Sequence, residues 1–229
     1  SIKQIRITQQ TVNEYLKSKN IHPKAHLAIK DIDVLFRNAS NNLNGWKNIF
    51  GKITSSQIQR EETQKVLNWI KIETPHNEKP LMLLVGSGGS GKTVVLQQTY
   101  QSLVSQGIPV IGIKADMISA DTPQELLQSL ELPEDIYKLL TSFGIEKNKV
   151  VVLIDQIDAL SQTLSKDRKA ITNLYTLIQK LMSVPFIKIV VSCRNYDLHF
   201  DPLLRQLDDK KKLEIKDLVK EQVQQVINE

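Results

Sequence analysis

LMLLVGSGGSGKT, Leu81 to Thr93, sets five apolar residues before a glycine-rich turn that ends in a lysine and a hydroxyl. Its last eight residues, Gly86, Ser87, Gly88, Gly89, Ser90, Gly91, Lys92 and Thr93, fit G-x-x-x-x-G-K-[ST] at every fixed position. The spacing has a physical reason. Glycines let a loop fold with its backbone N–H groups turned inward onto phosphate oxygens. A helix beginning near Gly91 would aim the positive end of its dipole at the same anion. Lys92 would then reach the terminal phosphates, and the Thr93 hydroxyl would complete the coordination of Mg²⁺.

Outward from this loop, apolar strands alternate with helical segments. LMLLVG is followed by a helix from Gly91 to Ser105, the strand IPVIGIKA, and short helices around PQELLQSL and PEDIYKLL. VVVLI, a helix across RKAITNLYTLIQKLM, the strand FIKIVVSC, a loop, KKLEI and a helix from about Val219 complete the order. Such alternation predicts an α/β fold with a mostly parallel sheet, because each parallel crossover needs a connecting helix. LMLLV and VVVLI are apolar at every position, as strands covered on both faces should be.

VVVLIDQIDAL, Val150 to Leu160, delivers a second functional group. A phosphate-bound Mg²⁺ takes oxygen ligands, and Asp155 ends an apolar strand some sixty residues after Lys92. Gln156 then stands where a glutamate would serve to activate water. Asp158 is close enough in sequence to orient a water in its place, and equally placed to cap the next helix or pair with a lysine. In IKIVVSCRNYDL, Arg194 closes another buried strand. There it either senses the terminal phosphate by charge-assisted hydrogen bonds or pairs on the surface with Asp197 or Asp201. The catalytic candidates are therefore Asp155, Asp158 and Arg194, with Thr93 and Asp155 on the metal. His22 and His26 are four apart but lack further ligands, which argues against zinc.

Before the loop, residues 1–55 read as a leader of helices and loops. HPKAHLAIKDIDVLFRNA is apolar near helical spacing, and NASNNLNGW breaks the pattern. Ser55 or Ser56 is the expected cap of a helix through QIQREETQKVLNWIKIE, with Ile58, Val66, Leu67 and Ile70 inward. Of the 30 Lys/Arg and 25 Asp/Glu residues, 13 and 7 respectively fall in residues 1–80, so the net charge of +5 is concentrated there. The charges are scattered among polar residues, compatible with an acidic or nucleic-acid partner and equally with a solvated surface. A single cysteine, Cys193, excludes an internal disulfide and agrees with a reducing cytoplasm. No apolar run has the length to span a bilayer, and no signal-peptide pattern opens the chain. Ser1 in place of methionine suggests a trimmed start.

Taken together, GSGGSGKT, LIDQIDAL and VVSCRNYDLHFDPLLRQL resemble the NACHT-like branch of the STAND signalling ATPases, within the AAA+/STAND superfamily. LEIKDLVKEQVQQVI is similar to that group's next strand and helix, and IQREETQKVLNWI to the Arg-Glu helix that often precedes its nucleotide core. The resemblance covers residues 56–229. It implies a P-loop NTPase three-layer sandwich with a five-stranded sheet, in which the Arg194 strand inserts between the P-loop strand and the Asp155 strand. It further implies binding of ATP or ADP with Mg²⁺, Arg60 near the adenine, slow hydrolysis, self-association, and effector and sensor domains outside this chain. Many bacterial members act in defence against phage. The family continues into a small helical lid and a winged helix where this chain stops, so a fragment of a larger protein is expected.

Two other readings remain. A DNA-associated AAA+ ATPase, an initiator or a loader, shares the P-loop and strand order and predicts salt-dependent DNA binding. A non-hydrolysing interaction module would keep nucleotide as a structural ligand.

Overall fold

The computed structural model describes residues 29–45, 58–75, 78–161, 168–207, 211–218, 220 and 223–224. Five strands carry the fold: β1 (Leu81–Gly86), β2 (Val110–Lys114), β3 (Val150–Asp155), β4 (Ile187–Arg194) and β5 (Lys211–Glu214). They form one sheet in the order β2-β3-β4-β1-β5. Every pairing is parallel. The Arg194 strand thus lies between the P-loop strand and the Asp155 strand, as the resemblance implied. β1, β2 and β3 are buried at every position, and β4 at all but its last. That burial requires helices on both faces, which explains why these strands carry no polar alternation.

The helices are α1 (Ile29–Ala39), α2 (Asn41–Asn44), α3 (Glu61–Lys71), α4 (Lys92–Ser105), α5 (Pro123–Ser129), α6 (Ile136–Lys147), α7 (Arg168–Leu181), α8 (Asn195–Phe200) and α9 (Pro202–Arg205). One face of the sheet offers Met82, Leu84, Val151, Leu153 and Val190, alternate positions that meet Val66 and Ile70 of α3 and Val95, Leu96 and Leu103 of α4. α7 turns Ile171, Leu174, Ile178 and Leu181 inward at helical spacing. None of the helices among the described residues is long and apolar enough to cross a membrane.

Two compact units divide the chain, Ser1–Asp33 and Val34–Glu229. Of the first, Ile29–Asp33 are described, as the opening turn of α1. Within the second, residues just after the boundary close the edge of the sheet. The Ser40 hydroxyl donates to Phe36 O at 2.6 Å and accepts from the N–H of Gly112 on the edge strand β2 at 2.8 Å. Leu43 is fully buried against Gly112, where an added Cβ would stand 2.6 Å from its Cδ2. The Leu43 carbonyl accepts from the Gln97 side chain of α4 at 2.8 Å. An edge strand's unpaired amide is an aggregation hazard, and here a serine answers it.

Several element boundaries differ from the sequence expectation. α3 begins at Glu61 with Arg60 at its N-cap, while Ser55 and Ser56 lie outside the described residues. α6 runs on to Lys147, well past PEDIYKLL, because Leu140 and Phe143 keep the inward face going. The segment expected as a loop after β4 holds α8 and α9. Asp201 caps α9, accepting from the N–H groups of Leu203 and Leu204 at 2.8 and 3.2 Å, with Pro202 at the first helical position. The helix expected from Val219 lies mostly outside the described residues.

Leu43 tests the edge closure. Leu43→Ala should cost about 2–5 kcal/mol, as for other fully buried leucines, read as a lowered denaturation midpoint in urea. A loss below about 1 kcal/mol would mean that this contact contributes little to the fold.

Candidate phosphate-binding site

β1 ends at Gly86, where no side chain fits: a Cβ would meet Ile215 O and Ser90 Oγ at 2.7 Å each. The loop then turns through Gly89 (φ 80°) and Gly91 (φ 96°), both left-handed. Gly91 caps α4 without a side-chain hydrogen bond, and α4 carries no acid in its first turn. Its leading N–H groups and positive dipole end therefore face the loop without competition from an acid on their own helix. Lys92 is 8% exposed, and its ammonium donates to the carbonyls of Gly86 (3.0 Å) and Ser87 (2.6 Å). Burial holds the Lys92 pKa below its ordinary value, Asp158 and Asp155 pull it back up, and Arg194 opposes them.

Strand register brings the acids to the same edge. Gly86 pairs with Arg194, and Ile154 pairs with Val191, so the ends of β1, β4 and β3 converge. The Thr93 hydroxyl donates to Asp155 Oδ2 at 2.8 Å, and the Ser192 hydroxyl donates to Oδ1 at 2.6 Å. Ser192 in turn accepts from the Gln156 N–H at 2.8 Å. Asp155 is fully buried. That burial raises its pKa against the lowering effect of the two hydroxyls.

Beyond Asp155 the chain leaves the strand through Gln156, held left-handed at φ 56°, and turns one 3₁₀ coil over Ile157–Leu160. This turn delivers Asp158, 2% exposed, whose Oδ2 lies 3.2 Å from Nε of the half-exposed Arg194. Burial raises the Asp158 pKa, and Arg194 works against it. Arg194 thus pairs with Asp158 across the sheet. Asp201 is occupied at the α9 cap and lies 3.6 Å from Arg168. A cleft of about 240 Å³ opens between Gly88, Gly89, Gly91, Lys92 and Thr93 on one side and Gln156, Asp158 and Arg194 on the other.

Arg60 sits on the loop's flank, 6% exposed. An added Cβ on Gly91 would lie 3.3 Å from its guanidinium. It donates to both Glu62 carboxylate oxygens at 3.2 Å and to Lys216 O at 2.6 Å. Burial works against the Glu62 charge, yet the bond and charge of Arg60 hold that carboxyl below its usual range. Gln98 of α4 ties this segment down: it accepts from the Arg60 N–H and the Thr63 hydroxyl and donates to Ile58 O. Sequence inspection did not single out Ser192 or Gln98. Ser192 carried a faint signal, as a small polar residue set between Val191 and Cys193 in a stretch otherwise apolar from Ile189 to Cys193.

These residues fit a magnesium–triphosphate. Two buried polar atoms in these segments, Ser90 Oγ of the loop and Asp158 Oδ1 of the cleft wall, have no hydrogen-bond partner among the described residues. The side-chain donors around Thr93 and Asp155 are hard oxygens. Among the described residues no group of three His, Cys, Asp or Glu could hold a metal alone. Magnesium bound by few protein ligands and by phosphates suits such a place.

A parallel sheet in this order, with a lysine-bearing glycine loop at the tip of β1 and a strand-end aspartate two strands away, is the P-loop NTPase fold. The chain belongs to a family within that class: residues 82–215, more than half its length, match the ATPase family associated with various cellular activities (AAA). Solved structures agree on the fold. The Walker-type ATPase PABY2304 of Pyrococcus abyssi superposes with a TM-score of 0.54 at 19% identity, over 74% of this chain and 57% of that one. Cdc6p of Pyrobaculum aerophilum gives 0.51 at 20% identity, over 78% and 50%. The chain thus spans about half the length of these structures. No curated protein matches its sequence.

Asp155→Asn separates binding from stability. Because burial raises this carboxyl, the folded state holds its proton more firmly than the unfolded chain. Its contribution to stability is therefore greatest below the unfolded value of 3.8 and is lost as pH rises through the raised native value. At neutral pH and without ligand, Asp155→Asn should melt no lower than the parent. Any gain should vanish on acidification, and the thermal shift caused by Mg²⁺ with nucleotide should shrink in the variant. A variant that melts well below the parent at neutral pH would overturn this reading.

Proposed function

We propose that the chain is the ATP-binding, slowly hydrolysing switch domain of a STAND-type signalling ATPase. The observation that carries it is the Asp158–Arg194 pair beside the Lys92 loop. In this reading the loop amides and Lys92 bind the terminal phosphates, and Thr93 ligates magnesium while Asp155 holds the Thr93 hydroxyl from behind. Magnesium, when bound, supplies neutralisation of the charge that develops on the transferring phosphate. Arg194 is paired with Asp158 until a terminal phosphate competes for its guanidinium. That competition frees a buried carboxylate, more basic than an ordinary one, to orient a water and accept its proton. Gln156 offers a carboxamide, which orients but does not take a proton at neutral pH.

Turnover is slow in consequence. The acid lies three residues beyond Asp155 and must first exchange its ion pair. A slow step suits a timer, since the bound state then persists long enough to be read by other domains. Arg60, packed against Gly91, supports the side of the loop.

The test uses single-turnover hydrolysis and equilibrium binding of MgATP. Lys92→Ala should weaken MgATP binding by roughly 10–100-fold, the value of one or two charge-assisted hydrogen bonds. Asp158→Ala should slow the chemical step by about 100-fold while changing affinity by less than about fivefold. An unchanged hydrolysis rate would remove Asp158 from catalysis. Affinity for duplex DNA that falls steeply with added salt would favour the DNA-associated AAA+ reading instead.

A further inference from the structure

The segment that leaves β5 touches the phosphate loop and the Arg60 flank beside it at three successive residues. Ile215 donates its N–H to Val85 O at 2.7 Å and sets its own carbonyl where a Cβ on Gly86 would meet it. Lys216 gives its carbonyl to the buried Arg60 at 2.6 Å. Asp217, exposed at the rim, accepts from the Ser87 hydroxyl at 2.9 Å. The first two contacts are packing and backbone satisfaction. The third is different in kind.

A phosphate nest is built of N–H donors and an ammonium, all of which favour an anion. Asp217 places a carboxylate on the same loop, one residue after the first glycine, and so opposes it. The Ser87 hydroxyl has one proton to give, and here it goes to Asp217 rather than toward the cradle. We infer that Asp217 is a positioning residue that couples occupancy of the phosphate loop to the path of the chain after β5. This inference rests on the nucleotide-binding reading above. With the loop free of anion, the Ser87–Asp217 bond holds the exit segment against it. Polyphosphate entering the nest repels the carboxylate and loosens that hold. Linkage makes the effect reciprocal: whatever factor nucleotide costs the latch, the latch costs the nucleotide.

Arg60 gives the coupling its hinge. Its guanidinium fixes the Lys216 carbonyl one residue before Asp217, so release at Asp217 redirects the chain beyond this point and leaves β5 in register. The effect of nucleotide would thereby reach whatever follows β5 without disturbing the sheet.

Asp217→Asn tests the inference, because the amide keeps a hydrogen-bond acceptor for Ser87 and loses only the charge. In the full chain at low salt, the variant should bind MgADP more tightly, on the order of fivefold. This advantage should shrink as salt screens the repulsion, which a merely structural role would not produce. Amide hydrogen exchange at residues 217–218 should rise when MgADP binds the parent and respond less in the variant, while that of Ile215, bonded to Val85 O, stays unchanged. Equal affinities at low salt, an advantage insensitive to salt, or exchange indifferent to MgADP would each overturn the inference while nucleotide binding by the parent stands. A parent that fails to bind MgADP, or a Lys92→Ala variant that binds it equally well, would overturn the nucleotide reading and this inference together.

Discussion

One fully buried carboxylate organises this molecule. Asp155 lies where an ionised group is costly, and it is tolerable there because two hydroxyls converge on it from separate elements. Thr93 comes from the first turn of α4 and Ser192 from β4. Neither donor arrives unless β3, β4 and the phosphate loop are aligned to within a hydrogen bond. The loop's shape, the register of the central strands and the placing of α4 are thus linked through this single acceptor. Gln156 extends the chain of dependence, since its N–H bonds to the same Ser192 hydroxyl as the backbone swings out left-handed.

The convergence also explains why the charged groups divide as they do. Lys92 is folded over the loop's own carbonyls, while Asp158 and Arg194 face each other across the far wall of the cleft. Asp155 supports from behind and Asp158 lies at the opening, so two acids three residues apart in sequence serve different surfaces. The strained Gln156 separates them. Without that left-handed step the strand would carry on extended, and Asp158 would not turn back toward Arg194.

Much of this was legible in the chain. The glycine loop, the apolar strands and the acid at the end of VVVLI specify chemistry and fold because each rests on a local rule: glycine conformations, burial on both faces, or a strand's end. The order of the strands followed from resemblance, and the sheet carries it. Partnerships across the sheet were harder to read. Arg194 had nearer acids in sequence at Asp197 and Asp201, yet register decides its neighbour, and register is a property of two strands at once. The Asp201–Pro202 pair was a readable helix start that lay inside what looked like a loop. Ser192 interrupts an apolar run, but a lone serine does not name its partner until the acceptor, Asp155, is placed beside it. Ser40 likewise draws its meaning from Gly112, seventy-two residues away.

Cys193 lies between Ser192 and Arg194 on the strand at the centre of the sheet, and it is the only cysteine in the chain. It is 1% exposed, and burial, with Asp158 and Asp197 adding to it, pushes its thiol far above the ordinary range. A neutral thiol in such a place is inert to alkylating reagents and oxidants, since only the thiolate attacks them. Modification would have to await disruption of the middle strand. The molecule therefore carries its own covalent tag for that event: under pulsed alkylation, the rate of mass gain would time the opening of the sheet's centre.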